Sequence, residues 1–376
     1  MRFAERMSRL GTETAFEVLA RARALEAAGR SILHLEIGEP DFATPAHVVV
    51  AAQEALDGGW THYSPAAGDP ELRAAIAEHV ARTRACTVRP DEVVVTPGAK
   101  PILFFALSAL VQAGDEILVP DPGFPIYASV VEWAGGRAVP YHLDAGFGLD
   151  VSSLRNARGA IFNTPHNPTG GVIEADGWDA VAALDLDWLI SDEVYSAITY
   201  GAPHASALSH PRLRDKTILV DGFSKTWAMT GWRLGFGVMP PELAERVAQL
   251  QINCTSCAAA FTQRAALAAL QGPMEPVQAM VAGFRARRDL LVRGLNELPG
   301  VECVEPRGAF YAFPNVSAAG NADRLAARLL DEQGVACLSG TAFGAAGAGY
   351  LRFSYAASPD HLEQALERMH AFFASL

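Results

Sequence analysis

The chain has 376 residues, of which 50% are hydrophobic, 19% charged and 9% aromatic. Its 42 Asp and Glu residues outnumber its 30 Lys and Arg residues, and the net charge of −12 disfavours general binding to nucleic acids or anionic membranes. No apolar run approaches the ~18 residues of a membrane-spanning helix, and the charged opening segment lacks the apolar core of a signal peptide, so we expect neither.

The apolar pattern alternates between short runs and longer amphipathic stretches. Residues 71–84 show a helical period, with Leu72, Ile76 and Val80 on one face. Short apolar runs predict strands at 93–96, 117–119, 161–163, 188–190 and 218–220, and a helix beginning near Pro101 follows the first of them. This alternation predicts an α/β fold with a mostly parallel sheet flanked by helices.

The last quarter of the chain has a different, α+β pattern. It predicts strands at 301–304, 309–313, 335–338 and 350–355, helices near 321–332 and at 359–373, and a flexible glycine-rich loop at 340–349. A long helix around 276–298 precedes them. We therefore expect two domains, a large one at 46–275 and a small one combining 1–45 with 276–376.

The cysteines and the CxxC spacing bear on location and metal binding. Five dispersed cysteines are typical of a reducing compartment, which predicts a cytoplasmic protein. Cys254 and Cys257 are spaced as in zinc sites, but no second ligand pair accompanies them, so we expect no metal.

Three polar residues follow predicted strands. Lys225 lies just after the strand 217–221, Asp192 after the strand at 188, and Asn167 in a Pro- and Gly-rich turn after the strand at 161. Ligands of open α/β sheets bind at the carboxyl ends of the strands, so these side chains are expected in one crevice. Each residue alone has an ordinary alternative: a solvated lysine, a helix-capping aspartate, or an Asn-Pro turn. Together they indicate a catalytic site, in which a partly desolvated lysine is nucleophilic.

These motifs resemble those of the class I/II aminotransferases, which belong to the aspartate aminotransferase superfamily of fold-type I pyridoxal-phosphate enzymes. The similarity extends from the segment LEIGEPDF at 35–42 to YLRFSY at 350–355, and it includes SKTWAMTGWRLG at 224–235. It implies an enzyme that exchanges an amino group between an L-amino acid and a 2-oxo acid by a ping-pong mechanism, with pyridoxal 5′-phosphate as cofactor.

The resemblance also implies roles for individual residues. Lys225 is the expected Schiff-base lysine and proton shuttle, and Asp192 the partner of the pyridine nitrogen. Asn167 and Tyr195 are expected to donate hydrogen bonds to the ring oxygen, and Phe124 to stack on the ring. Tyr195 is therefore grouped with Lys225 and Asp192 as catalytic.

The phosphate of the cofactor needs hydrogen-bond donors and positive charge. The resemblance places it near Gly98, Ala99 and Lys100 at a helix N-terminus, with Ser224 and Arg233 nearby. Tyr63 matches a tyrosine that the family lends across a dimer interface, which implies a homodimer with shared active sites. Many relatives carry a serine where this chain has Gly222, so Thr255 or Ser256 is a candidate replacement.

The substrate end is expected to hold the α-carboxylate of the amino acid. The resemblance assigns this task to Arg352, the backbone around Gly38, and Asn167. Phe124 stands where dicarboxylate-specific relatives often have tryptophan, which favours alanine, glutamate, aromatic or other neutral donors over strict aspartate specificity. A nearby lysine or an arginine of another chain is an alternative source of carboxylate recognition.

Two other functions are compatible with parts of this pattern. A carbon–sulfur lyase begins with the same Cα deprotonation, and the sequence separates it poorly from an aminotransferase. A non-enzymatic transcriptional regulator on this fold is a remote alternative, since such relatives carry an additional DNA-binding domain and this chain is acidic overall.

Overall fold

The computed structural model describes residues 1–201 and 203–376. The described residues form twelve α-helices: α1 (Thr14–Ala27), α2 (Ala46–Asp57), α3 (Pro70–Thr83), α4 (Lys100–Leu110), α5 (Ile126–Ala134), α6 (Ala175–Ala182), α7 (Phe223–Thr226), α8 (Pro241–Cys254), α9 (Ala260–Gln271), α10 (Glu275–Asn296), α11 (Ala322–Arg328) and α12 (Pro359–Phe373). Among these residues, no helix is long and apolar enough to cross a membrane.

The same residues contain twelve strands. They are β1 (Leu33–His34), β2 (Val93–Thr96), β3 (Glu116–Pro120), β4 (Arg137–Tyr141), β5 (Gly159–Asn163), β6 (Trp188–Asp192), β7 (Thr217–Gly222), β8 (Gly235–Val238), β9 (Tyr311–Ala312), β10 (Val335–Ala336), β11 (Leu338–Ser339) and β12 (Leu351–Ser354). All five strands predicted in the first part of the chain are therefore present, within a few residues at their ends.

The main sheet has seven strands in the order β2-β8-β7-β6-β5-β3-β4. The pairs from β7 through to β4 are parallel, whereas β8 is antiparallel to both of its neighbours. Apolar side chains of these strands pack on both faces: Val94 lies in one core cluster, and Val93 and Val95 lie in another. This alternation explains why the strands read as continuous apolar runs, and it confirms the mostly parallel α/β sheet.

The C-terminal part packs around α10, α12 and two small sheets. One small sheet pairs β1 with β10, and the other has the order β11-β12-β9. Phe284 of α10 and Leu362 of α12 are fully buried in the same cluster as Phe353 of β12. The N-terminal β1 thus contacts the C-terminal part. The division into two domains, with its boundaries, stays a prediction.

Several predicted elements of the last quarter differ in the structure. Residues 301–304 form no strand, only an isolated bridge between Glu302 and Asn315. Ala309 has a left-handed φ of 56°, which interrupts the extended chain, so β9 begins only at Tyr311. The single strand predicted at 335–338 is two short strands in different sheets, and the glycine-rich segment at 340–349 forms two short 3-10 helices.

Candidate active site

The carboxyl ends of three adjacent parallel strands open into one cavity of about 470 Å³. β5 ends at Asn163, β6 ends at Asp192, and β7 ends at Gly222, immediately before the single-turn helix α7 that carries Lys225. All four residues line the cavity. The crevice expected at the strand ends is therefore present, because parallel strands bring residues distant in sequence to one edge of the sheet.

Lys225 lines this cavity with a buried amine. Its Nζ donates a hydrogen bond of 2.5 Å to the carbonyl oxygen of Gly38, and it lies 5.9 Å from the ring centroid of Tyr195. Burial, together with the nearby cations Lys100 and Arg352, lowers the pKa of Lys225 to about 8, although Glu39 opposes the shift. A larger fraction of this amine is therefore neutral near pH 7 than of an ordinary lysine.

Asp192 is a buried carboxylate without a cationic partner among the described residues. Its Oδ2 accepts a 2.7 Å hydrogen bond from the hydroxyl of Tyr127, and its Oδ1 accepts one of 3.3 Å from the backbone N–H of Val194. Burial raises the pKa of Asp192 to about 6, and these two hydrogen bonds only partly offset that effect. A buried carboxylate of this kind is stabilised by a cation placed in the cavity.

Arg352 reaches the cavity from β12. Its Nη1 donates a 3.1 Å hydrogen bond to Oδ1 of Asn167, and its Nη2 donates to the carbonyl oxygen of Glu36. The guanidinium lies 4.6 Å from the ring centroid of Tyr311, and its buried Nε has no partner among the described residues. The two hydrogen bonds use two of the five N–H donors of the guanidinium, which leaves donors available for a planar anion.

Tyr195 and Tyr311 form a pair beside this arginine. Their hydroxyl groups are 2.7 Å apart, and either one can be the donor. Burial, followed by the influence of Tyr311, raises the pKa of Tyr195 well above its usual value. Tyr195 is consequently protonated at neutral pH and able to donate a hydrogen bond.

The part of the cavity at the N-terminus of α4 is suited to an anion. The hydrogen bonds formed among the described residues leave the backbone N–H groups of Ala99 and Lys100, at the start of α4, without acceptors. Gly98 has a φ of +90°, and a Cβ atom there would lie 2.3 Å from Nη2 of Arg233. The glycine thus allows the guanidinium to approach the helix N-terminus.

The sequence-predicted site residues divide into two groups. Those that line the cavity are Gly38, Ala99, Lys100, Phe124, Asn167, Asp192, Tyr195, Ser224, Lys225, Arg233 and Arg352. Gly98 lies directly behind Arg233 instead. Tyr63 is 89% exposed and lies outside the cavity, as do the exposed Thr255 and Ser256 that were considered as replacements for a serine at position 222.

Sequence reasoning missed several residues of the cavity. Tyr127 and Tyr311 contact the predicted residues Asp192 and Tyr195, and Glu13 and Glu39 add negative charge. Ala342 and Phe343 of the glycine-rich segment also line it. The only sequence signal for Tyr127 was its position three residues after Phe124, at the start of the following helix.

Comparison with known proteins assigns the chain to a family. The family described as "Aminotransferase class I and II" matches residues 30–369. The chain belongs to the class I and II aminotransferases.

Individual relatives of this aminotransferase agree with the family. A probable aspartate aminotransferase of Methanocaldococcus jannaschii is 40% identical, covering 89% of this chain and 91% of that protein. The structure of aspartate aminotransferase from Thermus thermophilus with maleate has a TM-score of 0.93 at 37% identity, covering 99% of this chain and 100% of the other. An alanine aminotransferase from Pyrococcus furiosus has a TM-score of 0.93 at 31% identity, with complete coverage of both chains.

The aminotransferase is thus an enzyme that transfers an amino group between an amino acid and a 2-oxo acid, and pyridoxal 5′-phosphate is its cofactor. The cavity fits that molecule in three respects. It contains a buried lysine amine, a buried carboxylate without a cation, and free backbone donors beside Arg233. These match the aldehyde, the ring nitrogen and the phosphate of the cofactor, respectively.

Proposed function

We propose that Lys225 holds the cofactor covalently and moves the Cα proton of the substrate, while Asp192 pairs with the protonated ring nitrogen. The observation that carries this proposal is the buried carboxylate of Asp192, which faces the same cavity as Lys225 and has no cationic partner among the described residues. A structural carboxylate buried in this way would be paired, because an unpaired buried charge is costly.

The bound cofactor supplies an electron-withdrawing ring that makes the Cα–H bond of an amino acid weak enough to break. Once the amino group of the substrate has displaced Lys225 from the cofactor, the freed lysine amine would accept the proton from Cα in its neutral form, which its lowered pKa of about 8 favours. The carbonyl oxygen of Gly38 orients the amine through their hydrogen bond. The same lysine would deliver this proton to C4′ of the cofactor, and the reverse transfer with a 2-oxo acid would complete the ping-pong exchange.

The remaining residues hold and orient the two ligands. Tyr195 and Asn167 donate to the ring oxygen, and Phe124 packs on the ring face. Ser224, Arg233 and the backbone N–H groups of Ala99 and Lys100 bind the phosphate, and Gly98 leaves room for Arg233 beside them. The four binding residues line the cavity, and the two N–H groups have no other acceptor among the described residues.

Arg352 binds the α-carboxylate of the amino acid, together with Asn167 and the backbone at Gly38. Its place in the cavity wall supports this assignment, since only two of its N–H donors have partners among the described residues. Arg352 belongs to the proposed small domain, residues 1–45 with 276–376, and Lys225 to the proposed large domain, residues 46–275. Binding of a carboxylate therefore favours closure of the two domains and excludes water from the site.

We further propose that the enzyme is a cytoplasmic homodimer in which Tyr63 completes the phosphate site of the partner subunit. The exposed Tyr63 ring supports this, since a tyrosine with 89% of its surface accessible has no packing role within its own chain. The dispersed cysteines, all five of which are free thiols, support the location.

The experiment that tests the proposed function is a half-reaction with purified holoenzyme. An amino donor added without any 2-oxo acid should convert the bound cofactor to its amine form in stoichiometric amount and release one equivalent of 2-oxo acid. Continuous release of pyruvate and ammonia without an acceptor would instead indicate a lyase. A Lys225→Ala variant should show neither reaction.

A further inference from the structure

Two oppositely charged side chains of this chain pair with each other at the wall of the cavity, where Lys100 is 52% exposed and Glu13 is 18% exposed. Lys100, at the start of α4, pairs through its Nζ with the carboxylate of Glu13, which immediately precedes α1. Both residues line the cavity, and Nζ of Lys100 lies 5.3 Å from the ring centroid of Phe124. The negative charge of Glu13 acts on the interior of the site. Burial lowers the pKa of Arg352 and of Lys225, and the charge of Glu13 raises the pKa of both groups.

Four cationic side chains line the cavity among the described residues, namely Lys100, Lys225, Arg233 and Arg352. The proposed function uses the last three for the cofactor and the α-carboxylate. Among the described residues of this chain, only the side chain of Lys100 is then left to bind a second substrate carboxylate, and it is already paired with Glu13.

The surroundings of this pair are unfavourable to a second carboxylate. Glu39 brings another carboxylate into the cavity and accepts a hydrogen bond from the hydroxyl of Thr230. Apolar side chains form much of the remaining wall, including Phe16, Ile37, Leu338 and Phe343. A dicarboxylic substrate would therefore meet like charge and apolar surface, whereas an uncharged side chain meets no such penalty.

We propose that the Glu13–Lys100 pair is a specificity determinant that directs this aminotransferase towards amino donors with one carboxylate and an uncharged side chain. This inference rests on the proposed function, since it assumes that Arg352 holds the α-carboxylate. It names a substrate class, which similarity alone leaves open, because the relatives include both a probable aspartate aminotransferase and an alanine aminotransferase.

Glu13→Gln is the informative variant. It removes the charge while keeping the size of the side chain, and the fold does not depend on that charge, because Glu13 makes no side-chain capping hydrogen bond to α1. Glu17→Gln is the matched control: it removes the same charge from an exposed position on the first turn of the same helix, outside the cavity. Glu13→Ala serves as a second variant, in which we also expect acidic donors to react faster and maleate to bind more tightly.

Two measurements on holoenzyme test the proposal. The first is kcat/KM for alanine, leucine, phenylalanine, aspartate and glutamate as donors. The second is the dissociation constant of maleate, a dicarboxylate that does not react, determined by calorimetry. For the native enzyme, we expect a neutral donor to exceed both acidic donors by about tenfold or more. In Glu13→Gln, kcat/KM for the acidic donors and the affinity for maleate should rise about tenfold, with neutral donors changed less than about threefold and Glu17→Gln unchanged.

The outcomes separate this inference from the proposed function. If the native enzyme prefers aspartate or glutamate to every neutral donor, or if Glu13→Gln and Glu13→Ala leave maleate binding unchanged or weaker, the inference is overturned. If no donor reacts at all, the proposed function fails. In that case the maleate titration still decides whether Glu13 opposes a second carboxylate.

Discussion

The hydroxyl of Tyr127 donates a 2.7 Å hydrogen bond to Oδ2 of Asp192, and both side chains are buried at the end of β6. Burial raises the pKa of Asp192, and the hydrogen bond from Tyr127 lowers it, so the tyrosine helps to keep the carboxylate ionised. Tyr127 also orients the carboxylate, since it fixes one oxygen and leaves Oδ1 with a single 3.3 Å contact to the backbone. The pair is thus prepared to receive a cation from the cavity.

Replacing Tyr127 by Phe should weaken catalysis without unfolding the protein. The loss of a hydrogen bond to a charged group raises the pKa of Asp192 further and is expected to lower kcat about tenfold. Steady-state kinetics as a function of pH measures both effects, and the acidic limb of the profile should move to higher pH. Tyr141→Phe is the control, because Tyr141 is equally buried but its hydroxyl donates to the carbonyl of Ile161. Equal losses in the two variants would contradict the role of Tyr127.

Asp192→Asn should stabilise the cofactor-free protein while it impairs the enzyme. The pKa of Asp192 is raised from 3.8 to about 6, so the cost of the charged carboxylate to the folded state grows as the pH rises from 3.8 to 6 and is complete above pH 6. We expect the variant to gain about 2–3 kcal/mol in free energy of unfolding at pH 7.5. Below pH 3.8 the aspartate is protonated in both the folded and unfolded states, so the difference should disappear. Urea unfolding of the two apoproteins between pH 3.5 and 8 measures this difference in the free energy of unfolding. In the holoenzyme, the kcat of Asp192→Asn should be ~100-fold lower than that of the native enzyme.

Arg84 is expected to be a major contributor to stability beneath the site. Its guanidinium bonds to Glu193 Oε2 at 3.0 Å and to Asp221 Oδ2 at 2.6 Å, and it thereby connects β7 with the residue that follows β6. Arg84→Met leaves two buried carboxylates without this partner and should lower the free energy of unfolding by about 3–5 kcal/mol. Arg89→Met removes an exposed pair with Asp91 and should leave the denaturation midpoint unchanged. A small effect of Arg84→Met, similar to that of the control, would show that the buried network is dispensable.

Mixed dimers test whether active sites are shared. Lys225→Ala and Tyr63→Phe should each have little activity, because one lacks the reactive amine and the other a phosphate donor. A hybrid dimer contains one site with Lys225 from one subunit and Tyr63 from the other. Co-refolding the two variants should therefore restore up to a quarter of native activity, given that about half of randomly paired dimers are hybrids with one intact site. No recovery, together with native-like activity of Tyr63→Phe, would argue against a shared site.

The sequence was most informative where chemistry and strand ends coincide. Lys225 and Asn167 follow fully buried strands and Asp192 ends one, and a parallel sheet necessarily brings such positions together. Those strands were predictable because their side chains pack on both faces, which leaves a continuous apolar run in the sequence. The helices predicted at 359–373 and around 276–298 are also present, as α12 and the long α10.

The remainder depended on tertiary contacts that have no local signature. Glu13 lies 87 positions from Lys100, and Tyr195 lies 116 positions from Tyr311, so neither pair is visible in a sequence window. In the last quarter, short strands are defined by their partners rather than by their own pattern. The left-handed conformation of Ala309, an unfavourable one for alanine, could not be anticipated from propensity.

The most direct test of the central claim is to locate the cofactor on the chain. Borohydride reduction of the holoenzyme, followed by proteolysis and mass spectrometry, should find one phosphopyridoxyl group per chain, attached to the peptide that contains Lys225. The Lys225→Ala variant should lack it, together with the visible absorbance and turnover, whereas Lys216→Ala, which alters the residue just before β7, should retain all three. Attachment to another lysine, or native-like turnover by Lys225→Ala, would contradict the assignment.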